Sequence, residues 1–409
     1  MRKLFLLGLM ATMALPAGAT RHVTVAQLEK TLAASVAKHR ADADLVREFG
    51  DFVLTERLTD AARSRICDTL HLGPKTTVAL QLLGDQSAFL DPPTADLPVA
   101  AAPDAPTAKH ILDAAAAYVT NILPHLPDVL ATRTTYNFDD TPQVFKVNEW
   151  PVRAGLHLVG NSSREITFRD DHESQAAAPE PAQTAPSAPA KQMERGLQSW
   201  GEFGPLLGVI FVDTERGALS FHHWEQASGT LVAVFRYTVP KSVSHYSVNY
   251  CCLFDGPKLS SQKGGGGRRG GGVGSPLAGN TKGNATILFH KIPGYHGSLY
   301  IDPATGVVRR VTLEAEMDDS PVSQAVTVIE YGPVVIGDRK FICPLRSMNL
   351  YEGPAESGAP SSMLPVSVTE SLIPSGTLHV NETSFTNYHR LGSTIRILPE
   401  TEAPPASNP

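Results

Sequence analysis

The chain has 409 residues, a formal net charge of −6 and a hydrophobic content of 42%. That apolar content suffices for a packed core, which excludes a wholly disordered chain. The acidic balance leaves no basic excess to neutralise phosphates and argues against a nucleic-acid-binding protein. No internal run reaches the roughly 18 apolar residues of a membrane-spanning helix, so we expect no transmembrane span once the leader is removed.

Residues 1–19 have the pattern of an export signal. Arg2 and Lys3 precede a continuous apolar stretch, and Ala17 and Ala19 supply the small residues of a cleavage site. We therefore expect cleavage between Ala19 and Thr20 and a periplasmic or secreted location. A buried N-terminal helix is the alternative interpretation.

Residues 20–85 predict a small unit of three or four short helices. Thr24 begins a capping box, and apolar residues follow at helical spacing. A second helix is predicted near 41–55 and a third over 58–70, which Gly73-Pro74 would end. A unit of this size is typical of a docking module or a structural appendage.

The segments that follow alternate between flexible and helical composition. A Pro/Ala-rich linker is predicted over 86–107 and a covering helix over 108–122. Segments 174–193 and 255–285 are predicted to be disordered loops, because an Ala/Pro-rich and a Gly-rich composition cannot offset the entropy of ordering. The tail 398–409 is also predicted to be disordered.

The region 108–397 carries the pattern of an antiparallel sheet. In the strand predicted around Val311, apolar residues alternate with polar ones such as Arg310, which predicts one dry and one solvated face. Hairpin turns are predicted at Asp302–Gly306 and at Gly337-Asp338. The predicted fold class is α+β: an N-terminal helical unit, then a curved antiparallel half-barrel covered by a helix.

Export makes disulfides possible for the four cysteines. Cys251 and Cys252 are adjacent and would face opposite sides of a strand. A bridge between Cys252 and Cys343 is one prediction, and reduced buried thiols are equally compatible with the sequence. A metal or redox role is a further alternative, although no C-x-x-C or H-x-x-x-H spacing accompanies these cysteines.

Motifs for catalysis are missing from the sequence. It contains no G-x-S-x-G, H-E-x-x-H or P-loop motif, and the glycine-rich run lacks the strand and helix of a dinucleotide site. We therefore expect no catalytic residue, metal or cofactor. His222 and His223 are neighbours in a predicted strand, where their imidazoles would face opposite sides and would not share a metal.

Aromatic residues are concentrated in the first half of the predicted sheet. Five of them are the predicted ligand-binding residues: Phe221, Phe235, Tyr237, Tyr246 and Tyr250. A curved sheet under a covering helix can leave an apolar groove suited to acyl chains. The alternative is that these side chains fill the core.

Two stretches carry a resemblance to known proteins. YIDPATGVVRRVTLEAE, residues 300–316, and EYGPVVIGDRKFICP, residues 330–344, resemble the open half-barrel of periplasmic outer-membrane lipoprotein carriers and related envelope-sensor domains. The resemblance spans roughly 200–395 and implies a concave apolar face closed by helices. With its LTERL stretch, Leu54–Leu58, the whole chain is also similar to a family of uncharacterised exported bacterial proteins.

These observations predict a non-catalytic exported envelope protein that binds a lipid, acyl chain or lipidated peptide on the concave face of the sheet. The alternative is an interaction or sensor module whose N-terminal helices bind an envelope protein partner. A hydrolase is the third hypothesis, and it requires His223 to meet two carboxylates in one cleft.

Overall fold

The computed structural model describes residues 21–121, 126–141, 155–169, 172–175, 196–227, 229–254, 286–318, 320–353 and 376–391. The predicted cleavage site, the 255–285 loop and the 398–409 tail lie outside these ranges. So does the 174–193 loop, apart from its first two residues, which end a strand.

Helices and strands both contribute to the described part of the chain. Its α-helices are α1 (Val25–Ala37), α2 (Asp42–Phe49), α3 (Asp60–Leu70), α4 (Pro74–Gln86), α5 (Ala105–Asn121) and α6 (Pro205–Thr214). Its strands are β1 (Arg21–Val23), β2 (Phe52–Leu54), β3 (Val129–Asp139), β4 (His157–Arg169), β5 (His172–Gln175), β6 (Gly196–Gln198), β7 (Ala218–Ala227), β8 (Thr230–Val239), β9 (Val248–Phe254), β10 (Thr286–Lys291), β11 (Tyr295–Ile301), β12 (Val308–Ala315), β13 (Gln324–Ile336), β14 (Arg339–Gly353) and β15 (Thr377–Arg390).

A ten-stranded antiparallel sheet organises the molecule, in the order β5-β4-β3-β15-β14-β13-β12-β11-β8-β7. The sheet is curved and open, because its outer strands β5 and β7 do not pair with each other. A second antiparallel sheet has the order β10-β9-β6, and β1 and β2 form a short parallel pair. The predicted α+β class with a curved antiparallel sheet is confirmed.

The N-terminal unit contains four helices and one feature that the sequence did not predict. The helix predicted near 41–55 ends at Phe49, and Phe52–Leu54 instead pairs in parallel with Arg21–Val23. Gly73-Pro74 does not end a helix but begins one, with Gly73 as the N-cap of α4. Proline is well suited to that first helical position, where its missing N–H has no partner to lose.

Outside the N-terminal unit, two described helices pack against the large sheet, and the sequence predicted one of them. α5 begins three residues before the predicted covering helix 108–122 and ends one residue before it. α6 falls inside a region predicted to be strands. Its sequence PLLGVIFVDT is a short apolar run, which periodicity alone cannot assign to a strand or a helix. Pro205, in its first turn, fits the helical outcome.

Both predicted hairpin turns are confirmed. Asp302–Gly306 connects β11 with β12, and Gly306 has a φ of 73° that favours glycine. Gly337-Asp338 connects β13 with β14. Gly337 also has a positive φ, of 67°.

The prediction of one solvated face is wrong for β12, because both sides of the sheet are covered there. The aromatic face, which bears Phe235 and Val311, packs against α5, α6 and the three-stranded sheet. The charged face, which bears Arg310, packs against the N-terminal unit: Arg310 bonds to Asp60 of α3, and Leu82 of α4 joins an apolar cluster on this face. Solvation of a polar strand face cannot be inferred from alternation when a distant segment covers it.

The predicted bridge between Cys252 and Cys343 is also wrong. Cys343 is a buried free thiol, and Cys67 is also free. Cys343 lies in β14 of the large sheet, packed beside Phe341, whereas β9, which carries Cys251 and Cys252, belongs to the separate three-stranded sheet. Cys251 is disulfide-bonded.

Candidate functional site

The five predicted aromatic residues come together on the aromatic face. Phe235, Tyr237, Tyr246 and Tyr250 are buried in its main apolar cluster, and the half-buried Phe221 packs against it. Their rings make edge contacts, as between Phe221 and Phe235, whose centroids are 5.7 Å apart. These five side chains therefore form one packed interior instead of lining an open groove.

α5, α6 and the three-stranded sheet, together called the cover, close the aromatic face. Buried Asp213 of α6 accepts hydrogen bonds from the Tyr295 hydroxyl of β11, at 2.8 Å, and from the His245 backbone N–H, also at 2.8 Å. The Tyr246 ring, just before β9, lies 5.4 Å from the Tyr295 ring of β11, and the Tyr250 ring of β9 lies 5.7 Å from the Tyr351 ring of β14. On the cover side, the Trp200 ring stacks on Tyr246 at 5.8 Å and its indole donates to the Ser247 carbonyl. Side chains, and no shared β-ladder, thus join the cover to the large sheet within the described residues.

A group of charged side chains lies at the β3–β4–β5 end of the same face. Arg133 of β3 donates to Glu173 of β5 at 3.0 Å and to Glu202 at 3.3 Å, and also bonds to Ser199. Glu202 is fully buried, and its Oε2 has no hydrogen-bond partner in the described part of the protein. The hydroxyl of Tyr331 on β13 is likewise buried without a partner. We call Arg133, Glu173, Glu202 and Tyr331 the polar patch.

The surroundings of the polar patch favour the neutral forms of Glu173 and Tyr331. Burial, followed by the charge of Glu202, raises the pKa of Glu173 to about 7 despite Arg133. Burial and then the same Glu202 charge raise the pKa of Tyr331 far above its ordinary range. Glu202 is therefore close enough to affect side chains on both β5 and β13.

Buried polar residues continue from the polar patch across the sheet. Thr327 donates to Asn349 at 2.8 Å, and the hydroxyls of Thr135 and Thr383 are 2.9 Å apart. Ser347, fully buried between them on β14, has no partner for its hydroxyl among the described residues. The aromatic face thus has an apolar half on β8–β11–β12 and a polar half on β13–β14–β15–β3. Sequence reasoning missed the polar half because its threonines fit a strand as well as any apolar residue.

The charged face holds the N-terminal unit through buried ion pairs. Arg57, 2% exposed, donates to both Glu225 of β7 and the Tyr300 hydroxyl of β11. Farther along, Arg346 of β14 bonds to Asp85 of α4 and to Glu330 and Glu382 of the neighbouring strands. Arg310, Glu330 and Arg346 are direct cross-strand neighbours in one row beneath the helices. Glu382 of β15 and Glu225 of β7 each lie two residues along their strands from this row.

Burial and charge compete in this interface, with opposite results for two carboxyls. Burial raises the pKa of Asp85 to about 6, against the charge of Arg346. Burial also acts to raise the pKa of Glu225, but the hydrogen bond with His223 and the charge of Arg57 outweigh it and hold that pKa below its ordinary value.

His222 and His223 do not face opposite sides of β7, which corrects the expectation for a regular strand. The β7–β8 register shifts between Phe221 and His223, and this bulge brings the two imidazole Nδ1 atoms within 2.5 Å. His223 Nε2 lies 3.0 Å from Glu225, and His222 Nε2 lies 3.9 Å from Asp91. Each histidine thus has one carboxylate neighbour, and His223 does not gather two.

The described residues were also compared with the requirements for metal ligation and for a membrane-spanning helix. Across the described ranges, no three His, Cys, Asp or Glu side chains converge as metal ligands. No helix in those ranges has the length and apolar character needed to cross a bilayer.

Comparison of the chain with known protein families, with curated proteins and with solved structures finds no match in any of the three. The similarity to lipoprotein carriers and to exported bacterial proteins therefore stays a prediction from sequence pattern.

Proposed function

We propose that the chain is a non-catalytic protein of the cell envelope that binds a lipid, an acyl chain or a lipidated peptide between the cover and the aromatic face. The supporting observation is how the cover is attached. It rests on the largest apolar cluster of the described residues through side-chain packing and the Asp213 contacts, while the large sheet is a continuous ladder. Moving the cover breaks few hydrogen bonds and leaves the sheet intact.

The binding energy would come from apolar surface. An acyl chain that replaces protein contacts on this face gains about 25 cal/mol per Å² of apolar area removed from water. Part of that gain is needed to offset the free-energy cost of separating the cover from the sheet, because Phe235 and Tyr237 are already buried in the absence of ligand. The ligand therefore has to be long and apolar, as an acyl chain is.

The test is native mass spectrometry of the mature protein purified from its own envelope, before and after organic extraction. A lipid-sized mass that disappears on extraction supports the proposal. The extracted protein is then titrated with a lysophospholipid in a Trp150→Phe, Trp224→Phe background, so that Trp200, stacked on Tyr246 at the edge of the cover, reports the movement. A bare protein mass together with unchanged Trp200 emission contradicts the proposal.

A second candidate function, a sensor that acts through the N-terminal helices, is favoured by a separate observation. The N-terminal unit is held by buried charges, such as Arg57 with Glu225 and Asp85 with Arg346, and not by apolar contacts alone. A partner or a pH change that competes for those charges would release the unit. A pull-down from envelope extract with residues 20–85 as bait, which captures a partner that the full chain does not, tests this candidate.

A further inference from the structure

The apolar interior contains polar atoms that its own side chains do not satisfy. Glu202 is completely buried, one carboxylate oxygen is held by Arg133, and the other oxygen has no partner in the described residues. The Tyr331 hydroxyl and the Ser347 hydroxyl are buried in the same condition. Native proteins rarely leave such groups unpaired, so each one calls for a bound group.

Neighbouring side chains do not fill this need. Arg133 already directs its two terminal nitrogens to Glu173, Glu202 and Ser199, and its buried Nε points to no partner among the described residues. Arg164, on the adjacent strand β4, is half-buried and acts on Glu173 from farther away. Each of these guanidinium groups therefore already faces other partners, and the Glu202 oxygen remains an open acceptor.

We propose that the polar patch binds the headgroup of the ligand, and that this headgroup is a hydrogen-bond donor of the ammonium type. This inference rests on the proposed function, because it assigns a headgroup site to the same ligand. An ammonium placed at Glu202 Oε2 would donate to the carboxylate, and the unpartnered Tyr331 hydroxyl is the second acceptor close enough to sense the Glu202 charge. The acyl chain would then extend towards the apolar half of the aromatic face.

The same geometry disfavours anionic headgroups. A fatty-acid carboxylate at this place would meet Glu202 and Glu173, and it offers only acceptors to an oxygen that needs a donor. A neutral alcohol offers a single donor without charge. The expected order of affinity is therefore ammonium, then alcohol, then carboxylate.

The experiment compares three amphiphiles of equal chain length with the extracted protein: dodecylammonium, dodecanol and dodecanoate. Calorimetric titration at pH 7.5 is expected to give dodecylammonium an affinity at least about tenfold above dodecanoate, because a charge-assisted hydrogen bond replaces a charge repulsion. Equal affinities overturn the inference.

Variants attribute the preference to the polar patch. Glu202→Gln keeps the shape and removes the charge, and it is expected to weaken dodecylammonium binding about tenfold while leaving dodecanoate unchanged or stronger. Glu165→Gln, on the exposed side of β4, is the matched control and should keep the preference. If Glu202→Gln fails to fold, Tyr331→Phe takes its place, with an expected loss of about threefold for dodecylammonium alone.

The outcomes separate this inference from the proposed function. If all three amphiphiles bind and the preference is missing, or survives in Glu202→Gln, the headgroup assignment is overturned and an apolar site remains. If none of the three binds, both are overturned, and buried water fills the polar patch.

Discussion

The two faces of the ten-stranded sheet are covered through different kinds of contact. The aromatic face is covered by elements that contribute aliphatic and aromatic side chains, such as Leu207 and Ile210 of α6. The charged face is covered by the N-terminal unit, whose contacts with it include two buried charges, Arg57 in the loop before α3 and Asp85 of α4. Apolar packing is tolerant of sliding, whereas a buried ion pair is costly unless each partner keeps its position.

Under the proposed function, this difference indicates which face would separate from the elements that cover it. On the charged face, release of the helices would take Arg57 away from buried Glu225 and Asp85 away from Arg346, so the N-terminal unit is expected to stay in register. On the aromatic face, separation of the cover from β8, β11 and β12 would expose mainly apolar surface, which an acyl chain can replace, and the buried Arg133–Glu202 pair lies apart from it at the polar patch. Four predictions test the contrast, in order of decreasing effect.

The largest effect is expected from truncation in the aromatic face. Phe235→Ala should lower the free energy of unfolding by about 4 kcal/mol, because the ring is fully buried and leaves a cavity. Phe221→Ala, at a half-buried ring in contact with Phe235, should cost about half as much. Urea unfolding measures both, and equal costs would contradict the packed interior described here.

On the charged face, Arg57→Met should cost about 3 kcal/mol, because buried Glu225 loses its guanidinium partner and keeps only His223. Arg57→Met combined with Glu225→Leu should recover most of that loss, since both charges are then absent. Arg236→Met, in an exposed pair with Asp91, is the control and should cost less than about 1 kcal/mol. A double variant as unstable as the single one would show that the ion pair is not what holds this contact.

The third effect depends on pH. Folding raises the pKa of Glu173 from 4.5 to about 7, so the folded protein binds a proton in this range that the unfolded chain releases. The resulting stabilisation is complete below about pH 4.5 and is lost as the pH rises to 7. The free energy of unfolding of Glu173→Gln, taken relative to that of the wild type, should therefore rise by about 2 kcal/mol between pH 5 and pH 8.

Asp85→Asn, on the charged face, should also become more stable relative to the wild type as the pH rises. This change should end near pH 6, where the folded pKa of Asp85 lies. Thermal unfolding of both variants and the wild type at half-unit pH intervals provides the measurement. A stability difference from wild type that does not change with pH would mean that the folded pKa of that carboxyl is not raised.

The mildest test requires no substitution. Burial raises the pKa of Cys343 to about 12, so this thiol should not react with a small alkylating reagent at pH 8 until the protein unfolds. Cys67 is only partly buried and should react in the native protein. Peptide mapping of the labelled sites decides, and labelling of native Cys343 would show that the end of the sheet where it packs opens to solvent.

Much of the local structure could be predicted from the sequence. The capping box at Thr24, the helix near 108–122 and the turns at Asp302–Gly306 and Gly337-Asp338 are formed by neighbouring residues, so local preference decides them. The alternation in β8 and β12 likewise assigned the apolar side chains to one face. The alternation in β8 and in residues 246–252 also identified four aromatic residues that the fold buries together.

Only the tertiary structure decided what covers each face. The parallel pairing of β1 with β2, the helical state of α6 and the burial of Arg310 all depend on segments distant in the chain, whose contacts no local period encodes. The polar patch was also decided by tertiary structure, because Arg133 and Glu202 are far apart in sequence. They form an ion pair only once the segment before α6 packs against β3. The sequence by itself therefore determined the strands and their apolar side, whereas long-range packing decided which charges are buried and which remain unpaired.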